Sequence, residues 1–451
     1  MQRILDRSRT ITSKSGTAVI ISLLVAGHLM QTSHAGEFAY GVGYLGEHSD
    51  NIRRTPTDPQ SEWVNSAIAG VVYLENGPAL DAHLLAQAEY RDYKNDIYND
   101  GPVYYADASL LWRITPQRLN WVFVDRYSQV TRDVTLPDTP DNRVNANVLD
   151  TGPDFYIRFD QVNTLVLGLR YGNASYSEGD LDSNRYGASA RWQYASTAET
   201  TYSLNYEAEQ VKYDNEILNE NVMRQDLFIR AERRQARARF RMDLGATRLD
   251  RDRTGGTSGN LARLEWSQQL TSVSTAGIQL AREYLDAGTV LLSTATSPTP
   301  APGAPPSSSA TGEVTNDFFY TKRAEAYYNR SDSSYGLSAR AYYRDLDYEM
   351  SPQDRQEAGG RIDVTYNPSS VLATTVYGSY LGVQYQSITR DDQESEAGIR
   401  FLYRLNRNLS TILEGRKTWR NSTDVLQEYT DRRVLFSLLY SSSPLFAPVR
   451  R

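Results

Sequence analysis

Polar and apolar residues take turns along most of this 451-residue chain. In ARARFRMDLGA, residues 236–246, Arg237, Arg239 and Arg241 are interleaved with Ala236, Ala238, Phe240, Met242 and Leu244. On a helix, positions two apart lie about 200° apart, so the arginines would scatter around the axis. On a strand, period two gathers the arginines on one face and the apolar residues on the other. The same rhythm sets Leu80, Ala82, Leu84, Ala86, Ala88 and Tyr90 against Asp81, His83, Gln87, Glu89 and Arg91. It sets Tyr186, Ala188, Ala190, Trp192 and Tyr194 against Ser189, Arg191 and Gln193. About 20 such segments, roughly 10 to 13 residues each, run from residue 37 to residue 440.

Their length and spacing narrow the fold. Soluble strands average about 5 to 6 residues, whereas a tilted membrane-spanning strand needs about 9 to 11. Aromatic residues stand near the ends of the apolar faces (Tyr90, Tyr104, Trp112, Tyr171, Tyr186, Trp192, Tyr194, Tyr440), where interfacial girdles belong. Short connections such as ENGP, TPQR, DQVN and LNRN alternate with long polar ones at 48–61, 131–147, 249–259, 285–316 and 383–392. Only helices and closed sheets satisfy their backbone polar groups in lipid, and helical periodicity is scarce here. The expected fold is therefore all-β, a transmembrane antiparallel up-and-down barrel of about 20 strands (range about 16 to 20), with short periplasmic turns and long extracellular loops.

The first 35 residues are different in kind. Arg3, Arg7, Arg9 and Lys14 precede the apolar run TAVIISLLVAGHLM, and SHA at 33–35 has the small-x-small form of a cleavage site. This is the pattern of a secretory signal peptide over 1–35. Its removal would take the net charge from −7 to about −10. An exported acidic protein argues against nucleic acid as the partner of the basic run RAERRQARARFR. The barrel would occupy 36–440 and a tail 441–451. Residues 286–316 include STATSPTPAPGAPPSSSATG, whose composition predicts a disordered loop on the extracellular side. The final strand alternates Val434, Phe436, Leu438 and Tyr440 toward a terminal aromatic, while Leu435 and Leu439 put apolar residues on the opposite face as well.

With lipid on the apolar side, the polar faces line the lumen. They supply Arg170, Arg191, Arg230, Arg237, Arg239, Arg241, Asp243, Arg263, Glu265, Arg340, Arg344, Arg400, Arg404 and Arg416 to a substrate path, with Tyr156 and Tyr342 beside them. Guanidinium groups suit bidentate contact with carboxylate or phosphate, and together with tyrosine they suit a hydrated sugar polymer. Cross-strand Arg–acid pairs can equally serve only to neutralise the interior. About 20 strands leave room for a pore unless loops plug it. No catalytic residue, metal site or cofactor is expected. The chain has no Cys, and of its four His only His48, placed in an early loop, and His83 lie beyond the leader. No nucleophile motif, phosphate loop or dinucleotide fingerprint frames them.

Two stretches resemble outer-membrane barrels encoded with exopolysaccharide and exosortase (PEP-CTERM) gene clusters. GVGYLGEHSDNIRR, 41–54, is similar to their opening strand, ending in Asp50, Asn51, Ile52 and Arg54. TGPDFYIRFDQVNTLVLGLRYGNASYSEGDLDSNRYG, 151–187, is similar to their central hairpins, with Gly152, Pro153, Arg170, Tyr171 and Tyr176. The resemblance implies a porin-like channel for polysaccharide export. Its expected partners are outer-membrane lipid and lipopolysaccharide, the polysaccharide, periplasmic and inner-membrane export proteins, and the barrel assembly machinery. A general diffusion porin and a structural or adhesive barrel are the alternatives.

Overall fold

A strand finds partners for its backbone groups only in its neighbours, and here every strand has two. In the computed structural model, which describes residues 36–443 apart from 179, 294–314 and 316, the chain forms 20 strands. They are β1 (Glu37–Ser49), β2 (Glu62–Asn76), β3 (Leu80–Tyr93), β4 (Gly101–Thr115), β5 (Leu119–Thr131), β6 (Arg143–Arg158), β7 (Asn163–Tyr176), β8 (Ser183–Ala195), β9 (Thr200–Tyr213) and β10 (Val222–Arg234). There follow β11 (Ala238–Arg251), β12 (Gly255–Thr271), β13 (Ser274–Leu285), β14 (Phe319–Ser331), β15 (Tyr335–Tyr348), β16 (Arg355–Tyr366), β17 (Leu372–Tyr385), β18 (Arg390–Arg404), β19 (Leu409–Ser422) and β20 (Tyr429–Ser441). Each pairs antiparallel with the next, and β1 pairs with β20 from Gly41 against Ser441 to Ser49 against Arg433. The sheet thus closes into a barrel with no free edge.

One rim carries tight turns, none longer than residues 367–371, and the other carries the long connections 50–61, 132–142 and 286–318. The tight rim is periplasmic and the long rim extracellular. Two expected loops are shorter than the sequence suggested. The strands run on past the membrane band, so that only 252–254 and 386–389 remain of 249–259 and 383–392. Gly255 takes a φ of +88° at the first of these turns, a conformation that favours glycine.

The apolar faces point outward, and each of the girdle aromatics expected from the sequence is exposed on the outer wall. Tyr186 and Tyr194 stand on β8 roughly 26 Å apart along the strand, which a ~40° tilt reduces to about 20 Å, near the ~25 Å apolar band of such barrels. His48 lies not in a loop but on β1, its ring 4.8 Å from that of the outward-facing Trp63. The apolar residues on the second face of β20 have a reason in the lumen. Leu435 and Leu439 are buried there with Leu45, Ile68, Leu402 and Ile412, forming an apolar inner wall at the seam where the chain's two ends meet. The leader expected at 1–35, most of the Pro-rich segment, and tail residues 444–451 lie outside the described residues.

Candidate functional site

Strand parity places the inner wall. Along β10 to β12 it brings Arg230, Arg239, Arg241, Asp243, Arg263 and Glu265 together, as the alternation predicts. Asp243 is the hub and is fully buried. Arg230 grips it with two hydrogen bonds of 2.7 and 2.9 Å, Arg241 donates to it at 3.3 Å, and Arg263 approaches to 3.6 Å. Arg241 also stands 3.7 Å from Glu265, and Arg263 bonds Glu283 at 2.6 Å.

Arg237 is not in the ladder. Residues 235–237 form the periplasmic turn between β10 and β11, closed by the Gln235 amide donating to the Ala238 carbonyl at 2.8 Å. The rhythm of the sequence runs through the turn, but the hairpin needs those residues to reverse. The two remaining rungs are partly neutralised, since Arg239 donates to Glu232 at 3.3 Å.

The other expected lumenal residues face inward, mostly in pairs. Arg170 meets Asp154 at 2.8 Å, Arg340 meets Glu325 at 3.1 Å, Arg344 meets Glu357 at 3.5 Å, and Arg416 meets Glu47 at 3.1 Å. Arg400 pairs with Glu414. Arg344 also lies 4.8 Å from the Tyr342 ring centre, and the Tyr156 hydroxyl accepts from Asn120 at 3.3 Å. Arg191 donates to Asn205 at 3.0 Å, and neither it nor Arg404 has a carboxylate partner among the described residues. Charge balance therefore accounts for most of the wall, and the exceptions lie in its periplasmic half.

The extracellular half holds what the sequence concealed. Within the segment expected to be disordered, Ala287–Ser293 forms a short helix, α1, inside the barrel. Arg185 of β8 binds the buried Asp286 with both terminal nitrogens, and Thr289 donates to the same carboxylate. Arg126 of β5 donates to the carbonyls of Leu291, at 2.8 Å, and Leu292. Leu291 packs on Val130, Val144, Ala146, Val148 and Ala174, while Val290 packs on Leu285, Phe319, Leu346 and Tyr348. β5 and β13 stand eight strands apart in a ring of 20, so α1 bridges nearly opposite walls. Burial alone would raise the Asp286 pKa; the Arg185 charge and hydrogen bonds, with Thr289 and Arg224, outweigh it and hold the group at about 2.

A second strap crosses the other way. Residues 132–142 leave β5 and reach β17 and β18, where the Tyr385 hydroxyl donates to the Val134 carbonyl at 2.9 Å and Arg390 to that of Thr135. The first extracellular connection adds Arg54, buried 3.5 Å from Asp431 with its guanidinium 5.3 Å from the Tyr429 ring centre. Sequence parity could have placed Arg185, which shares a face with Arg191. The apolar AGTVLL, 287–292, ahead of a Pro-rich stretch was the other signal, because an exposed loop has no use for it.

Residues 358–440, spanning β16 to β20, match the sequence model of a family described as "Putative beta-barrel porin 2". The chain is a porin-like β-barrel of the bacterial outer membrane. A search of curated proteins gives no match. Solved structures similar to this barrel include the FrpB iron transporter of Neisseria meningitidis, with 12% identity, 92% of this chain and 83% of that one covered, and a TM-score of 0.45. The siderophore receptor PirA of Pseudomonas aeruginosa covers 91% and 81% at 12% identity and a TM-score of 0.43. Pseudomonas aeruginosa OccK2 (OpdF) covers 90% and 98% at 10% identity and a TM-score of 0.39. No group of His, Asp and Glu that could hold a metal ion occurs among the barrel's described residues.

Proposed function

We propose that this barrel is the channel through which a secreted exopolysaccharide crosses the outer membrane. The observation that carries the reading is the asymmetry of the lumen. Arginines on the periplasmic half stay exposed, while α1 and the 132–142 strap fold into the extracellular half, each tied to the wall by specific contacts. A diffusion porin works by standing open to both sides, whereas an exporter is loaded from the periplasm and has reason to stay shut to the outside. The hydrated Arg- and Tyr-bearing wall suits a sugar polymer, which offers hydroxyls and ring faces throughout its length. The sequence similarity to exopolysaccharide-associated barrels points the same way, and periplasmic export proteins would dock on the tight-turn rim.

Deleting the gene tests the proposal by assay of secreted polysaccharide together with small-solute uptake. The expected result is loss of the extracellular polymer with uptake unchanged. Unchanged polymer with altered uptake would establish the diffusion porin instead, and no effect on either would leave a structural or adhesive barrel.

A further inference from the structure

The periplasmic half of the inner wall contains a cavity of about 190 Å³ lined by five arginines, Arg191, Arg230, Arg234, Arg239 and Arg241, and by Glu232. The carboxylates nearby are already shared. Glu232 accepts from Arg234 at 2.7 Å and from Arg239 at 3.3 Å. Asp243, beneath the cavity, serves Arg230 and Arg241. Arg191 has only Asn205, and the Arg241 Nε is buried without a hydrogen-bond partner. The next neighbours out, Glu265, Arg263 and Glu283, do not line the cavity, and Arg263 is itself bonded to Glu283.

We infer that this cavity binds a carboxylate carried on a sugar, such as a uronic acid unit of the exported polymer. Five guanidiniums converge on one hollow whose lining supplies a single carboxylate, Glu232, with Asp243 bonded to Arg230 and Arg241 from outside the lining. Planar forks aimed into a common space are the geometry for bidentate carboxylate recognition. The location fits a chain entering from the periplasm. β8 and β10 end at that rim and β9 and β11 begin there, so the cavity lies at the entrance to the lumen. The donors face water, with Arg234 and Arg239 67% and 55% exposed, so an arriving anion meets them directly. This deepens the export reading and rests on it for the identity of the polymer.

Calorimetric titration of the purified full-length barrel in detergent tests the site. The probes are tetraglucuronate, a neutral glucose tetramer of equal length and glucose 6-phosphate. The expected result is binding of the uronate that weakens as salt is raised, with the neutral oligomer at least about tenfold weaker. Arg191→Gln combined with Arg241→Gln should weaken uronate binding by about tenfold or more, since each supplies a charge-assisted donor. It leaves the Arg230–Asp243 pair in place. Glu232→Gln should tighten binding severalfold, a change that misfolding cannot produce. Equal binding of acidic and neutral oligomers, or arginine variants that bind like the parent, would overturn the inference. So would loss of affinity in Glu232→Gln, or preference for the phosphate over the uronate. Normal polymer secretion after gene deletion would remove the export reading alone and leave the binding result standing.

Discussion

The two halves of the lumen are built from the same residue types and behave differently. In the extracellular half, Arg185 and Asp286 are 6% and 4% exposed, and Arg390 and Asp392 are 7% and 4%. In the periplasmic half, Arg340 is 52% exposed despite its Glu325 partner. Covering an ion pair strengthens it only where its remaining donors and acceptors are also satisfied. At the mouth Arg126 and Arg390 donate to backbone carbonyls of the inward-folded segments and Arg185 to Asp286, so the residue type that lines a wet wall below becomes an anchor above. Charge alone does not decide whether a lumenal arginine conducts or latches; what covers it does.

The largest expected effect breaks the closed half. Arg185→Ala leaves Asp286 ionised and buried without its partner, a loss of about 3–5 kcal/mol of docking for α1. Single-channel conductance in planar bilayers should rise sharply, while the barrel keeps its strand content by circular dichroism. Unchanged conductance would mean that α1 does not limit the pore. Leu291→Ala should act in the same direction and more weakly, at about 2–3 kcal/mol, by removing the apolar contact with Val144, Ala146 and Val148.

Acid sharpens the comparison. The Asp286 pKa is lowered in the folded state, so its contribution is fully present above the unfolded value of about 3.9 and is lost as pH falls through about 2. Conductance should therefore be constant from pH 8 to about 4 and rise only below that. A transition near neutrality would show that another group holds the mouth.

In the open half the expected effect is on selectivity rather than opening. Arg239→Gln with Arg241→Gln should leave folding intact and lower the preference for anions, read as a shift of reversal potential in a salt gradient, once the mouth is opened by Arg185→Ala. If selectivity is unaltered, these arginines serve only internal charge balance. The smallest effect belongs outside the lumen. Arg248, 67% exposed beside Asp250, should change stability by no more than about 0.5 kcal/mol when replaced by Gln, because exposed pairs contribute little.

Much of the barrel was legible in the alternation. Period two is a local property of each strand, so it placed the strands, their lipid and lumenal faces, the aromatic girdles and the two rims without knowledge of any neighbour. It also placed Arg239, Arg241 and Asp243 on one wall. It failed at Arg237, where the pattern continued into a turn, and at His48, which a longer β1 carries onto the outer face.

What the sequence by itself determined is the closed sheet and the side each residue faces, because a strand in lipid has no other way to satisfy its backbone. The tertiary structure decided which charges meet and which stay open to water. Pairing depends on register between strands, and the docking of α1 depends on a wall far away in the chain, with Arg126 and Leu291 separated by 165 positions. No local pattern encodes a contact of that range. The apolar wall at Val144, Ala146 and Val148 and the apolar run 287–292 are each odd in isolation, and only closure of the barrel shows that one covers the other.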